Sequence, residues 1–173
     1  MSDDYAARLG RALYWADTDL KRRIVAEIAA HRSEAATAGM KRSDEPPGVV
    51  AKRYLQIYGF GIAFTALCAL AGAAFGFLSA VQADISWLDG LQLLSLLAAL
   101  LLTAWCGIAG GMRSGLAVGC AAAVARLVAM AVGVLVQGYA VEALSLALFV
   151  ASCAMVPLIG FLGGEARKRW GEE

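Results

Sequence analysis

Residues 54–83 read YLQIYGFGIAFTALCALAGAAFGFLSAVQA, thirty positions without a charge, bounded by Arg53 and Asp84. A helix rises about 1.5 Å per residue, so about 20 apolar residues cover the ~30 Å of hydrocarbon in a bilayer. This run is long enough to cross. Two more uncharged runs of 23 and 22 residues follow, Gly90–Met112 and Ala143–Gly164. The stretch from Ser114 to Val141 is interrupted only at Arg126. Four transmembrane helices are therefore predicted, near 57–81, 91–111, 115–138 and 143–164. The fold class is an all-α polytopic membrane protein with an N-terminal cytosolic helical hairpin. Its predicted domains are a cytosolic part (1–53), a membrane domain (54–164) and a cytosolic basic tail (165–173).

Composition agrees. Of the 173 residues, 60% belong to the hydrophobic set and 17% are charged, against about 25% charged in globular proteins. The charges are segregated: 18 of 29 lie in residues 1–53, five in 54–164 and six in the last nine. This excludes a soluble enzyme with an evenly charged surface, a disordered chain and a disulfide-stapled secreted module. No secretory signal is legible, since the first apolar run follows some fifty polar residues. The ten basic and eight acidic residues of 1–53 are mixed in sequence, so no nucleic-acid partner is expected.

The basic residues set the orientation. Ten precede the first span, Arg113 lies between the second and third, and Arg167, Lys168 and Arg169 follow the fourth. The loops 82–90 and 139–142 carry only Asp84, Asp89 and Glu142. The positive-inside rule then places both termini in the cytoplasm of a cell with an inner membrane. Tyr54, Tyr58 and Trp170 fall at the inner interface, and Trp87 and Tyr139 at the outer one.

Small residues recur every four positions. Gly72 and Gly76 extend to Cys68 and Ala80, Gly107, Gly111, Gly115 and Gly119 form a second series, and Gly160 and Gly164 a third. Lipid gives helices no hydrophobic reason to associate, so close backbone approach and dispersion carry more of the packing. These glycines are expected to pack helices within one bundle, with a homo-oligomer interface as the alternative.

Arg126 stands eleven residues into the third predicted span, close to mid-bilayer, where an arginine costs about 2.5–3.5 kcal/mol. No acidic residue of the chain lies at that depth. Pro157 frees the carbonyl of Cys153 four residues earlier. The expected polar centre is therefore Arg126 donating to that carbonyl and to Ser152 or Thr103. It reads either as an anion or substrate pathway or a socket for a partner's membrane carboxylate, or as a lock on helix packing.

In the N-terminal part, Tyr5, Leu9, Ala12 and Leu13 form one helical stripe. Asp17-Thr18-Asp19 supplies an N-cap for a second helix that Gly39 closes, with Leu20, Ile24, Ile28 and Ala35 on its apolar side. A turn at 43–48 leads into a short helix expected to run on into the first span. Leu13, Tyr14 and Trp15, with Ile24 and Ile28, are the candidate docking face for a protein partner. Tyr5…Leu9…Leu13, then Arg22-Arg23-Ile24-Val25-Ala26-Glu27-Ile28…His31…Glu34-Ala35…Gly39, together with Pro47…Ala51…Tyr54, resembles the HAAS-type (permease-prefix) helical domain. That family's second helix reads ERR-x-I-x-x-E-x-x-x-H-x-x-E and its closing segment G-x-P-x-x-x-A-x-x-Y. The resemblance covers about residues 4–55, but much of the family's E-x-A-x-x-x-L-G helix is missing between Gly39 and Pro47. Similar proteins are small prokaryotic membrane proteins, often linked to PadR-type transcription regulators. The resemblance therefore implies a regulatory role.

Sites of chemistry are not legible. His31, with Glu27 and Glu34 at i−4 and i+3, reads as a solvated cluster, and no metal site is expected. Cys68, Cys106, Cys120 and Cys153 fall one per span; Cys106 and Cys120 are the pair expected nearest each other. No Walker A, HExxH or G-x-S-x-G motif occurs, so no catalytic residue and no cofactor is assigned. The expected function is a non-enzymatic, regulatory or sensory membrane protein whose cytosolic helices bind a protein partner. The alternatives are a small transporter or channel using Arg126 as an anion site, and a structural subunit of a larger membrane complex.

Overall fold

The computed structural model describes residues 2–39, 45–81, 88–138 and 142–171. Asp84, Trp87 and Tyr139, and Ser43 and Asp44 of the 43–48 turn, lie outside them, as does the side chain of Trp170. Among the described residues there are seven helices and no strand. The chain divides into two compact units, Met1–Ala63 and Phe64–Glu173.

The first unit holds α1 (Ser2–Ala12), α2 (Thr18–Thr37) and α3 (Pro47–Tyr58). The Asp17 carboxylate caps α2 by accepting from the Asp19 amide at 3.0 Å. Gly39, just past the end of α2, takes the left-handed conformation that glycine allows (φ +65°). α1 packs on both α2 and α3. Leu9, Leu13, Ile24 and Ala51 form the buried centre, flanked by Tyr5, Leu20, Ile28 and Tyr54. The unit is thus a three-helix arrangement with its own core, where the sequence suggested a hairpin and a connector. Tyr5 Oη donates to the Glu45 carbonyl at 3.1 Å, and Arg53 makes two hydrogen bonds to the Glu45 carboxylate, so both tie the start of α3 in place.

α3 does not run on into the first span. Gly59 ends it with φ +81°, its amide returning to the Leu55 carbonyl at 2.9 Å. Two residues later the Gly61 amide donates to the Trp15 carbonyl at 2.7 Å, and a Cβ on Gly61 would stand 2.8 Å from the Asp17 amide nitrogen. The α1–α2 turn thus occupies the space a side chain would need. Two glycines therefore break a helix that hydropathy alone reads as continuous.

α4 (Ile62–Leu78), α5 (Leu88–Gly110), α6 (Met112–Gln137) and α7 (Ala143–Gly171) follow. Three of them, α5, α6 and α7, are each long and apolar enough to cross a membrane. A fourth crossing is counted only if α3 and α4 together make one span. At 17 residues α4 alone rises about 26 Å, less than the ~30 Å of hydrocarbon.

The second unit carries small residues inside and large ones outside. Its buried positions are mostly Gly, Ala, Cys, Ser, Thr and Val, whereas Leu70, Leu93, Leu101, Val128, Leu135, Leu148 and Leu158 face outward. A contiguous apolar exterior of this extent suits lipid as solvent. On α4 the buried face is Phe64, Cys68, Gly72 and Gly76, a strict four-residue spacing that Ala80, just past the helix, continues.

The glycines explain how close the helices come. A Cβ on Gly72 would stand 2.9 Å from Val118 Cγ1, and one on Gly76 would collide with the Ala122 backbone, so α4 lies directly on α6. A Cβ on Gly107 would meet the Gly160 carbonyl oxygen at 2.5 Å, and one on Gly119 the Pro157 Cα at 2.6 Å. Gly160 faces Gly115, and Gly164 faces Met112. Gly72, Gly76, Gly107, Gly115, Gly119, Gly160 and Gly164 all meet helices of this same chain. Gly111 differs from its expected packing role. With φ +86° it forms the single-residue connection between α5 and α6, and a Cβ there would have only Arg167 Nη1 nearby, at 3.7 Å. Arg167 Nη1, from α7, in turn donates to the Ala109 carbonyl at the end of α5.

Candidate functional site

α6 buries Ser114, Gly115, Val118, Gly119, Ala122, Arg126 and Ala129, one continuous face. Arg126 lies on it because of its register with the glycines, and the contacts of Gly76 with Ala122 and of Gly119 with Pro157 draw α4 and α7 in on either side. The result is an arginine only 4% exposed.

Its guanidinium bridges two other helices. Nη1 donates to Ser79 Oγ at 2.5 Å, just past the end of α4, and Nη2 donates to Ser152 Oγ of α7 at 2.8 Å. The polarity of these bonds is fixed. Ser79 Oγ gives its proton to the Gly76 carbonyl and Ser152 Oγ to the Phe149 carbonyl, both at 2.6 Å. A hydroxyl has one proton, so both serines present lone pairs to the arginine.

Among the described residues Arg126 forms no ion pair, and its charge is met in other ways. Ser79 immediately follows the C-terminus of α4, the negative end of the helix dipole. The Phe149 ring lies with its centroid 5.0 Å from the guanidinium carbon, within cation–π range. One nitrogen remains without any partner: Arg126 Nε is buried with no hydrogen-bond acceptor. A buried donor left unpaired costs about 1–3 kcal/mol, more on a charged group.

Of the residues expected around Arg126, Ser152 is a partner. Thr103 is buried, but its hydroxyl donates to the Ala99 carbonyl at 2.7 Å and its methyl packs against Gly160. Among the described residues, Arg126 hydrogen-bonds to Ser79 and Ser152, not to the Cys153 carbonyl or Thr103. Cys153 is buried nearby in sequence, and Pro157 sits inside an uninterrupted α7 as the surface on which Gly119 rests. Ser79 was missed. It becomes a ligand only because α4 stops at Leu78, and hydropathy carries the span past that point.

The proposed docking face is divided. Leu13 and Ile24 are core residues, 0% and 2% exposed, and are unavailable to a partner; their helical stripe faces inward because it is the largest apolar surface α1 and α2 can bury. Ile28 is half-buried beside a cleft of about 250 Å³ that Tyr5, His31, Arg32 and Glu45 also line. Arg32 stacks over the Tyr5 ring in that cleft, 3.8 Å from its centroid. Tyr14 is 69% exposed, edge-on to Trp15 with centroids 5.0 Å apart. His31 stands 3.9 Å from Glu27 and 3.7 Å from Glu34 on the exposed side of α2, and among the described residues no cluster is placed to hold a metal. Cys68 and Cys106 are both buried and lie close enough to interact, whereas Cys120 is exposed. The neighbour of Cys106 is thus Cys68 of α4, where the sequence suggested Cys120.

Fold and site together define an all-helical protein with three or four helices able to span a membrane and one buried cationic centre. Comparison with known proteins adds no relative: no family model, no curated protein and no solved structure matches the chain.

Proposed function

We propose that this is a non-enzymatic regulatory membrane protein whose N-terminal helices bind a protein partner at the cytoplasmic face. In this reading α3 and α4 complete a fourth crossing, and both termini lie in the cytoplasm of a cell whose inner membrane holds α4–α7. The distribution of Lys and Arg supports that orientation, with 14 of 15 on one side of the spans and the other buried in α6.

The observation that carries the reading is the first unit itself. It buries Leu9, Leu13, Ile24 and Ala51 in a core of its own and leaves the Tyr14–Trp15 pair at its surface. Aromatic side chains in this position are the residue types that anchor protein interfaces. The resemblance of residues 4–55 to the HAAS-type prefix supports the same role. The structural-subunit reading loses its sequence argument, since the glycines are filled by the chain's own helices.

The test is affinity purification of the tagged full-length protein from native membranes, alongside a Tyr14→Ala/Trp15→Ala variant. A partner held by the wild type and lost from the variant supports the proposal. An identical partner set for both, or none for either, refutes it. Labelling an introduced Asp4→Cys with a membrane-impermeant thiol reagent in right-side-out cells tests the orientation, with no labelling expected until the cells are opened.

A further inference from the structure

The end of the bundle at which α5 stops and α6 starts is also the end at which α7 leaves its apolar stretch. Gly164 of α7 packs on Met112, the first residue of α6, and Arg167 Nη1 reaches the Ala109 carbonyl in the last turn of α5. The uncharged runs Gly90–Met112 and Ala143–Gly164 both close here. Among the described residues, this end of the three helices carries four cations, Arg113, Arg167, Lys168 and Arg169, against one carboxylate, Glu165. Two more acids, Glu172 and Glu173, come after α7 ends, further along the chain from the apolar stretch.

The Arg-Lys-Arg run of α7 divides by helical phase. Arg167 turns to α5, whereas Lys168 and Arg169 are exposed. The exposed large side chains before them are Met155, Leu158, Phe161 and Leu162, so steps of three and four residues take one outward face of α7 from apolar to cationic. Glu165, on the intervening step, is held by Lys168 at 2.8 Å. Arg169 makes no hydrogen bond or ion pair among the described residues, and neither does the exposed Arg113. Lys168 and Arg169 rise about 6 and 7.5 Å beyond Gly164 along the helix. A headgroup layer adds about 5–8 Å to each side of the hydrocarbon, so both cations stand at the depth of lipid phosphates. We propose that this face of α7 binds an anionic phospholipid, with its acyl chains along Leu158, Phe161 and Leu162 and its phosphate on Lys168 and Arg169. A zwitterionic lipid brings its own cation beside the phosphate and leaves the surplus positive charge unmet. A soluble anion gains nothing from the apolar side chains. The inference rests on α7 lying in a bilayer and is independent of partner binding by the N-terminal unit.

The experiment is native mass spectrometry of the purified full-length protein, released from micelles that hold equal amounts of phosphatidylglycerol and phosphatidylcholine with identical chains. Each Lys or Arg beside the bilayer favours anionic lipid by about fivefold. With Lys168 shared with Glu165, the wild type should retain phosphatidylglycerol over phosphatidylcholine by about tenfold. Lys168→Gln/Arg169→Gln should abolish that preference, whereas Arg22→Gln/Arg23→Gln, which removes the same charge from α2, should keep it. Equal retention of the two lipids by the wild type, or retention of neither, overturns the proposal. So does a preference that survives in Lys168→Gln/Arg169→Gln or is lost equally from both variants. Glycerophosphoglycerol, the same headgroup without chains, should leave no adduct; if it displaces the lipid, the site takes a soluble anion and the lipid assignment is wrong.

Discussion

Replacing Gly115 by alanine would place a methyl group where three helices meet. Its Cβ would stand 2.5 Å from the Gly160 carbonyl oxygen, 2.8 Å from Gly107 Cα and 2.9 Å from the Gly160 carbonyl carbon. Non-bonded carbons settle at about 3.5–4.0 Å, so α6 must retreat by roughly 1 Å from both α5 and α7. All three obstructing atoms are backbone, and no rotamer change relieves them. A gap of that size forfeits about a quarter to a half of each dispersion contact along the seam, and overpacking of this kind costs about 1–3 kcal/mol. The absence of any side chain that can yield argues for about 3. Alanine's better helix propensity returns about 1 kcal/mol, leaving a net loss of about 2 kcal/mol. Gly90→Ala is the control: it lies inside α5 with nothing within 4 Å of its Cβ, so only the propensity gain should appear. Reversible unfolding in mixed micelles against increasing dodecyl sulfate measures both. If Gly115→Ala proves as stable as the wild type, the three-helix seam is not packed as described.

Three further outcomes follow from the same geometry. In a variant keeping only Cys68 and Cys106, a membrane-permeant oxidant should consume both thiols in one intramolecular disulfide, whereas a variant keeping only Cys106 and Cys120 should retain two free thiols by mass spectrometry. Leu13→Ala should destabilise the N-terminal unit by about 2–5 kcal/mol, while the adjacent Tyr14→Ala stays within about 0.5 kcal/mol; hydrogen exchange of the α1 and α2 amides in the full-length protein distinguishes them. Glu45→Gln removes an ion pair with Arg53 whose side chains are 39% and 63% exposed, so it should cost less than about 1 kcal/mol, and that loss should shrink in high salt.

Much of this architecture was legible because bilayer-spanning helices declare themselves by length and charge. The predicted spans 91–111, 115–138 and 143–164 differ from the starts of α5, α6 and α7, and from the ends of α5 and α6, by three residues or fewer. The fourth prediction ran on to 164, but α7 continues past its apolar part to Gly171, since hydropathy marks where a helix leaves lipid and not where it stops. The first span was the least well read. Its hydropathy is continuous from Tyr54, but Gly59 and Gly61 act through backbone angle and space, which a hydropathy pattern does not register. The same limit hid Ser79, whose role depends on where α4 ends. Arg126 was legible as an anomaly and Ser152 as its neighbour in depth. Thr103 was equally plausible on depth alone, but the rotation of α5 directs its hydroxyl to its own helix. In the N-terminal unit the apolar stripe correctly marked Leu13 and Ile24 as important, but a stripe cannot say whether it faces a partner or a neighbouring helix.

The single-residue connection at Gly111 bears on how the protein is made. With nothing but one glycine between them, α5 and α6 have no slack to separate and behave as one hairpin. Arg126 belongs to that hairpin. Ser79 precedes it in the chain, whereas Ser152 and Phe149 follow it and are made later. The arginine therefore has only part of its eventual surroundings until α7 is made. Arrival of α7 completes them, and Arg167, at the end of that helix, then fastens onto the last turn of α5. Synthesis order alone makes the last helix the one that closes the bundle.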